Sequence, residues 1–257
     1  MQRNNSPVMS NLEKNIYNFY ITIAESTGRG INTGKSIKCV NTHPSCWPNY
    51  IFDAKFAQNR IKDEVELLKQ RIRTGTVPNS WFIGPGSASV FLPESPEQFG
   101  FTKAFSWPGM SITIGEMNSQ FQVSGDFIIN EVKNMDSLNQ WSDIINTGMF
   151  GYGFEGVNLF KNLLGKKDIK LFLGFFNDLP VSTSLMYLNS GVAGLFLIST
   201  LPDFRRRGFG IQLTLAPVKK AFEYGYEYAG LFATSSGERI YKKIGFHKIC
   251  DFDIYYL

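Results

Sequence analysis

The sequence lacks the features that mark metal, disulfide and membrane proteins. It has two histidines and three cysteines, none in a CxxC spacing, so neither a zinc site nor a disulfide framework is predicted. The N-terminus has no apolar signal-peptide core, and the longest apolar stretch, near residues 191–198, is far shorter than a membrane span. We therefore expect a cytoplasmic protein with no membrane partner.

Charged residues are also few, and the net charge is small. Only 19% of the residues are charged, and 26 Lys and Arg against 22 Asp and Glu leave a net charge of +4 that is spread along the chain. This is too weak a bias to indicate nucleic acid, and we expect no nucleic-acid partner. Hydrophobic residues, by contrast, make up 43% of 257 residues, which is enough to form a substantial core.

The chain divides into two halves at a polar joint, residues 118–125. We expect an N-terminal α/β half over residues 1–120 and a second domain over residues 121–257. No tandem repeat is evident, and nothing in the sequence indicates an oligomeric state.

The first half has short, mixed patterns. Aromatic and β-branched residues at 16–23 predict a strand, and apolar residues recurring at +4, +3 and +4 between residues 61 and 72 predict a helix. Further strands are predicted at 80–83 and 111–114. The Gly, Pro and Ser-rich stretch 84–96 is predicted to be a loop.

The second half has clearer patterns. A helix is predicted to begin at Asp136 or Ser137, and another covers about 155–164. Asn177-Asp178 is typical of a hairpin turn. The predicted strands are 127–132, 169–176, 180–189, 192–200 and 228–234. The nearly unbroken apolar run 192–200 favours a central strand covered on both faces.

A basic, glycine-rich loop follows that central strand. Residues 201–210 read LPDFRRRGFG and lead into a helical pattern. Unpaired N–H groups at a helix N-terminus favour a phosphate, and glycines let a ligand approach the backbone. The spacing differs from that of the dinucleotide fold and of the nucleoside triphosphate loop. The loop therefore predicts a ligand with a pyrophosphate, with a plain surface turn as the alternative.

These residues resemble a signature of the GNAT superfamily of acyl-CoA-dependent N-acyltransferases. Arg205-x-x-Gly208-x-Gly210 matches the superfamily's Arg/Gln-x-x-Gly-x-Gly/Ala pattern. Residues 231–237 and 240–246 are similar to the strand, helix and Tyr-x-x-x-Gly-Phe ending that follow it, so the resemblance covers about 127–257. It implies an α+β fold with a mixed, mostly antiparallel sheet, splayed central strands and flanking helices. It also implies acetyl-CoA as the co-substrate.

The resemblance also implies which residues form the site. The backbone of Ile198, Ser199 and Thr200 would face pantetheine. The pyrophosphate would be cradled by Arg205, Arg206, Arg207, Gly208, Phe209, Gly210 and Ile211. A backbone N–H near Leu197 or Ile198 would stabilise the oxyanion. Tyr241 matches the general acid that protonates the departing thiolate, with simple packing against the sheet as the alternative role.

Several positions depart from the superfamily's pattern. Pro217 lies inside the helix after the loop and predicts a kink or a shorter helix. Thr234 or Ser235 stands where many relatives have Asn. No carboxylate occurs in 192–200, where many relatives place the general base, so the base is not assigned.

Other residues are candidates for the general base or for a covalent nucleophile. Glu116, Glu155 and Asp178 are candidate bases, and deprotonation through water is equally compatible. Cys250 as an acyl-carrying nucleophile is less favoured than Cys250 as a small core residue. We therefore expect direct transfer in a ternary complex.

The first half is expected to wall the acceptor cleft. It is loosely compatible with a degenerate GNAT-like copy, and a family-specific cap is the alternative. Its aromatic residues concentrate at 47–50, 81–82 and 105–108. Packing within the core is the favoured role for them, and substrate stacking is the alternative.

The sequence as a whole predicts an N-acetyltransferase acting on an amine of a small molecule, peptide or protein. The alternative from another class is a catalytically silent module that binds coenzyme A or regulates, since the strand-borne carboxylate is missing. A third interpretation, RNA binding by the arginine loop, is disfavoured because the loop's flanks are apolar rather than basic and aromatic.

Overall fold

The computed structural model describes residues 7–88, 95–118, 120–121 and 126–257. The elements of the first half are α1 (Pro7–Thr27), β1 (Ile31–Thr33), β2 (Lys38–Asn41), β3 (Asn49–Phe52), α2 (Ile61–Arg73), β4 (Trp81–Ile83), α3 (Pro85–Ala88) and β5 (Thr102–Ile112). The elements of the second half are β6 (Phe127–Glu131), α4 (Met135–Ile145), α5 (Gly156–Phe160), β7 (Ile169–Phe176), β8 (Leu179–Asn189), β9 (Val192–Thr200), α6 (Phe209–Glu223), β10 (Ala229–Phe232), α7 (Ser235–Ile244) and β11 (His247–Tyr256).

The strands form one 11-stranded sheet in the order β1-β2-β3-β4-β11-β5-β10-β9-β8-β7-β6. The neighbours are antiparallel except β3 with β4 and β9 with β10, which are parallel. One core lies on the face that packs against α1, α4 and α5, and another on the face that carries α6. This mixed, mostly antiparallel sheet with flanking helices confirms the predicted fold class.

The two halves exchange strands in the middle of the sheet. β5 comes from the first half but pairs with β10 and β11 of the second. β11, the last strand of the chain, lies between β5 and β4. The halves therefore share one sheet. The division at residue 120 and the descent of the first half from a degenerate copy stay predictions.

The strand predicted at 16–23 is wrong, because these residues lie in the helix α1. Leu12, Ile16, Phe19 and Ile23 are fully buried and recur at helical spacing. The period appears only over the whole helix, while an eight-residue window holds enough aromatic and β-branched residues to suggest a strand. Burial against the sheet outweighs that local preference.

The boundaries of several other elements differ from the predictions. Asn134, not Asp136 or Ser137, caps α4, and its side chain accepts a hydrogen bond from the Ser137 N–H at 2.9 Å. The strand expected at 111–114 begins much earlier and ends at Ile112. The helix expected at 155–164 is α5 followed by a 3₁₀ turn, Lys161–Leu163.

Two predicted connections lie partly outside the described residues. In the stretch 84–96, expected to be a loop, α3 is helical, and residues 89–94 are not described. Of the polar joint 118–125, residues 119 and 122–125 are not described.

The strands at 169–176 and 192–200 are confirmed to the residue. Asn177 and Asp178 both have positive φ, as the predicted hairpin turn requires. α6 runs through Pro217 without ending there, so of the two expected outcomes the shorter helix is wrong and the kink stays a prediction. In the part of the chain that the structure describes, no helix meets the length and hydropathy of a membrane-crossing segment.

Candidate functional site

The cleft of interest opens where β9 and β10 separate. The two strands pair only at Ala193 with Ala229 and at Gly194 with Gly230. After these pairs the strands diverge, and β10 is held on its other edge by β5 as far as Phe232. The backbone edge of residues 195–200 is therefore left facing an opening in the middle of the sheet, as the resemblance implies for the splayed strands.

A bulge in β9 lies at the mouth of this opening. Leu185 pairs with Phe196 and Thr183 with Ser199, so Leu197 and Ile198 together oppose one residue of β8. Leu197 has a φ of 50°, and its carbonyl oxygen accepts a hydrogen bond from Thr183 Oγ1 at 3.0 Å. A bulge of this kind redirects backbone groups out of the strand ladder. It occurs where a backbone oxyanion donor is predicted.

The loop between β9 and α6 presents free backbone amides. Arg206 and Gly208 have φ values of 63° and 88°, and Gly208 is the N-cap of α6. Within the described ranges, the N–H groups of residues 206–210 have no hydrogen-bond partner, whereas that of Ile211 donates to the Gly208 carbonyl at 3.0 Å. These amides and the positive end of the helix dipole together suit an anion. Ile211, also predicted to take part, has its amide engaged.

The three arginines of the loop have different surroundings. Arg205 donates from Nε to the Thr200 carbonyl at 3.1 Å and from Nη2 to the Gly148 carbonyl at 2.8 Å. The Arg207 guanidinium lies over the rings of Phe176 and Phe204, 5.6 and 5.4 Å from their centroids. Arg206 is exposed and makes neither kind of contact.

The other predicted loop residues have mixed roles. The side chain of Phe209 is buried and stacks on Phe127 at 4.4 Å, so only its backbone is available to a ligand. A Cβ on Gly210 would meet only Thr200 Oγ1, at 3.9 Å. Ser199 is buried, while Ile198 and Thr200 are half-buried beside the opening.

Tyr241 lies on α7 and lines the same cleft. Thr234, the N-cap of α7, also lines it, at the place where Asn was expected. The ring of Tyr241 packs over Gly237, where an added Cβ would lie 2.9 Å from the ring. Burial raises the pKa of Tyr241 to about 12. The residue is therefore a neutral phenol at physiological pH, able to give a proton and unable to act as a base.

The cleft contains a cavity of about 210 Å³ whose walls are mostly aromatic. The aromatic lining residues are Trp47, Tyr50, Trp107, Phe150, Phe196, Phe232 and Tyr241. Three of these come from the first half, which therefore walls the cleft. Core packing is confirmed for Trp81 and Phe82, which are fully buried, whereas Trp47 and Trp107 line the cavity and substrate stacking by them stays a prediction.

None of the candidate bases lines the cavity. Glu155 pairs with Arg29 at 2.9 Å, and Glu116 accepts hydrogen bonds from Thr113. Asp178 is exposed in the β7–β8 turn. Cys250 does not line the cavity either: it is half-buried against the core, and burial raises its pKa to about 12, so it is not a thiolate nucleophile.

Sequence reasoning placed Met149 on the helix that contains α4 but did not assign the helical turn Asn146–Phe150 to the site, where it contributes Met149 and Phe150 to the cavity. Gly148 lies so close to the end of β9 that a Cβ would collide with Ser199 Oγ. The glycine is the one local signal in the sequence, since a backbone that approaches another strand this closely needs a residue without a side chain.

Comparisons with known proteins agree with this geometry. Residues 172–256 match the family model described as FR47-like protein. A GCN5-related N-acetyltransferase from Kribbella flavida is 18% identical, with 92% of this chain and 93% of that chain covered and a TM-score of 0.68. A GCN5-related N-acetyltransferase from Sphaerobacter thermophilus is 13% identical, with 98% and 93% covered and a TM-score of 0.63.

A search of curated proteins finds no match. At these identities the similarity to solved structures establishes the fold, and the family model covers the part of the chain that contains β9, the loop and Tyr241. Residues 172–256 of the chain thus match the FR47-like model, and the chain has the fold seen in GCN5-related N-acetyltransferases.

Proposed function

We propose that the protein is an acetyl-CoA-dependent N-acetyltransferase that moves the acetyl group directly to an amine in a ternary complex. The observation that carries this proposal is the run of partnerless amides at residues 206–210, directly beyond the unpaired edge of β9. Acetyl-CoA carries a diphosphate at one end of pantetheine and a thioester at the other. The loop, the strand edge and the bulge offer matching groups in that order, from residue 210 back to residue 197.

The proposed contacts follow from this order. The diphosphate would accept hydrogen bonds from the amides of residues 206–210, with Arg206 adding positive charge. Pantetheine would lie along Ile198, Ser199 and Thr200 as an additional strand. The thioester would then reach the bulge, where an N–H near Leu197 or Ile198 would stabilise the oxyanion.

The proposed reaction needs one nucleophile and one acid. The amine nitrogen forms a bond to the thioester carbon, and the carbonyl electrons move onto the oxygen. When the carbonyl re-forms, the carbon–sulfur bond breaks and the thiolate takes a proton from Tyr241. The surplus proton on nitrogen leaves through water and restores the phenol. The products are an amide and free coenzyme A.

The test combines binding and turnover. Calorimetry with coenzyme A and thiol release from acetyl-CoA with a panel of amines are both expected to be positive. Tyr241→Phe is expected to lower kcat by about a hundredfold or more with unchanged affinity for coenzyme A. Tyr152→Phe is the matched control because Tyr152 is 86% exposed. Absence of coenzyme A binding would refute the proposal, and unchanged turnover in Tyr241→Phe would leave Tyr241 with a packing role.

One observation favours a second candidate, a silent module that binds coenzyme A. No Asp, Glu or His is among the residues that line the cavity. A module of this kind would bind coenzyme A and release no thiol with any amine. The same two measurements therefore separate the two functions.

A further inference from the structure

The cavity residues outside β9 and α7 have a composition unlike that of a site for a cationic amine. The walls that these residues form include Trp47, Tyr50, Trp107, Met149, Phe150 and Phe232. They come from both halves of the chain and from separate elements. Side chains of this kind bury the apolar body of a ligand and orient aromatic rings.

These walls are held in place by further aromatic packing. Trp107 stacks on Phe105 at 5.8 Å and on Phe232 at 5.3 Å, with interplanar angles of 16° and 14°. Trp47 is 7% exposed and contacts Tyr20 and Phe150. Rings fixed in this way lose little conformational entropy when a ligand binds.

Among the residues that the structure describes, none that lines the cavity carries a charge. Tyr50 and Tyr241 are the titratable residues in its lining, and burial raises the pKa of both phenols. Neither provides a negative charge for an ammonium ion, nor accepts its proton. Of the candidate carboxylates from the sequence, Glu155 is already paired with Arg29.

Because the cavity lining that the structure describes offers no counter-ion and no base, it suits an amine that is already neutral at physiological pH. An alkylamine is almost fully protonated at neutral pH, because its pKa is near that of lysine, about 10.4. Aromatic rings attract such a cation, but its nitrogen must lose a proton before it can attack. An amine attached directly to an aromatic ring is weakly basic and is neutral at that pH. It therefore needs neither a counter-ion nor a base.

The size of the cavity is consistent with one small ring. An apolar cavity of about 150 Å³ holds benzene, and the volume here, about 210 Å³, must also hold the acetyl end of the coenzyme, so one small ring is the most that it accepts. We infer that the acceptor is a weakly basic aromatic amine whose ring lies among Trp47, Trp107 and Phe150, an inference that rests on the proposed function.

Three amines of similar size test the inference: aniline, benzylamine and cyclohexylamine. With acetyl-CoA at neutral pH, kcat/KM for aniline is expected to exceed the other two by about tenfold or more. It is expected to stay constant between pH 7 and 9, while the values for the two alkylamines rise roughly tenfold per pH unit. A higher kcat/KM for cyclohexylamine or benzylamine at pH 7 would overturn the inference and leave the transferase function intact.

A binding measurement makes the inference independent of turnover. Aniline is expected to bind the coenzyme A complex more tightly than cyclohexylamine does, as followed by calorimetry. If aniline binds more tightly but no amine is acetylated, the transferase function fails and the ligand class stands. Equal or weaker binding of aniline would overturn the ligand class whatever the turnover.

Substitutions of the aromatic residues that line the cavity test whether the ring of the acceptor binds there. Trp107→Leu is expected to weaken aniline binding about tenfold, and Phe105→Leu by a smaller factor, because Phe105 supports the Trp107 ring but does not itself line the cavity. Phe150→Leu offers a second variant in a different element. Unchanged affinity for coenzyme A in each variant confirms that the sheet has folded. Equal aniline affinity in Trp107→Leu, Phe150→Leu and the wild type would contradict the inference.

Discussion

Arg205 Nη2 donates a hydrogen bond to the Gly148 carbonyl oxygen at 2.8 Å, across 57 positions of sequence. Its Nε donates to the carbonyl of Thr200 at the end of β9. The turn Asn146–Phe150, which brings Met149 and Phe150 to the cavity, is thereby tied to the loop that precedes α6. The arginine of the signature thus connects the proposed coenzyme loop with the proposed acceptor wall.

Arg205→Gln is expected to raise KM for the amine about tenfold, because the loss of charged hydrogen bonds of about 1.5–3 kcal/mol loosens the acceptor wall. Arg206→Gln is the matched variant. It is expected to weaken coenzyme A binding a few-fold, through lost attraction to the diphosphate, and to leave the amine KM unchanged. Steady-state kinetics and calorimetry measure both effects. If both variants change coenzyme A affinity alone, the Arg205 link has no part in acceptor binding.

The two glycines of the signature are expected to differ in their tolerance of alanine. Gly208 has a φ of 88°, a conformation that strains any L-residue by about 1 kcal/mol or more, and its amide is one of the partnerless donors. Gly208→Ala should weaken coenzyme A binding at least about tenfold and lower stability.

Gly210→Ala is the control for that substitution. An added Cβ would point at Thr200 Oγ1, 3.9 Å away, rather than into the loop. Its coenzyme A affinity is expected to stay within about twofold of the wild type, and helix propensity would raise stability by up to about 1 kcal/mol. Calorimetry and urea unfolding check the pair. Equal losses of affinity would show that the glycines do not act through backbone geometry.

The raised pKa of Tyr241 predicts how kcat and the stability of the fold depend on pH. Its pKa is raised to about 12 by burial, so kcat is not expected to fall between about pH 8 and 10, where an ordinary tyrosine begins to ionise. The unfolded chain's tyrosine ionises near pH 10 while the folded one stays protonated. The stability that Tyr241 contributes is therefore lost as the pH rises from about 10 to about 12. A drop in kcat near pH 9 that disappears in Tyr241→Phe would contradict this expectation.

The placement of Tyr241 can be tested separately from its chemistry. An alanine at Gly237 would bring its Cβ to 2.9 Å from the Tyr241 ring, which must then move. Gly237 lies inside α7, so alanine is otherwise favourable to the helix. Gly237→Ala should lower kcat about tenfold while the protein stays as stable as the wild type. Ser236→Ala, one residue away and exposed, is the control.

The second half could be predicted well from the sequence because its signals are local. The apolar run of β9, the Asn177-Asp178 turn and the glycines after Arg205 each act within a few residues. The features that escaped prediction depend on contacts between distant residues. Arg205 donates a hydrogen bond to the Gly148 carbonyl, and β5 inserts between β10 and β11. α1 is helical because the sheet buries one of its faces. The bulge at Leu197 has no glycine to mark it.

Asn15 is expected to contribute strongly to stability. This fully buried side chain on α1 donates from Nδ2 to the carbonyls of Tyr187, Asn189 and Val192 at 3.1, 2.9 and 2.9 Å. Asn15→Ala leaves buried acceptors without a donor and should cost about 1–3 kcal/mol. Asn18→Ala, which removes part-buried hydrogen bonds to Asn189 and Ser190, should cost about 1 kcal/mol or less. Urea unfolding of both variants provides the comparison, and equal losses would contradict the special role of Asn15.

The shared sheet predicts that residues 121–257 do not fold alone. Without the first half, β10 would lose its pairing with residues 109–112 of β5, and β11 would lose its pairing with residues 102–111. The exposed strand edges would favour aggregation. Expressed alone, this fragment should show no cooperative unfolding and no coenzyme A binding.

A matched fragment covering residues 100–257 restores β5 but not α1. It should recover part of the secondary structure seen by circular dichroism, yet remain less stable than the whole chain, since α1 buries Leu12, Ile16 and Phe19 against the sheet. Mixing separately purified 1–120 and 121–257 should restore coenzyme A binding, because the exchanged strands form the junction between them. Full stability and binding in the 121–257 fragment alone would show that it is an autonomous domain, with the strand exchange as an accessory to it.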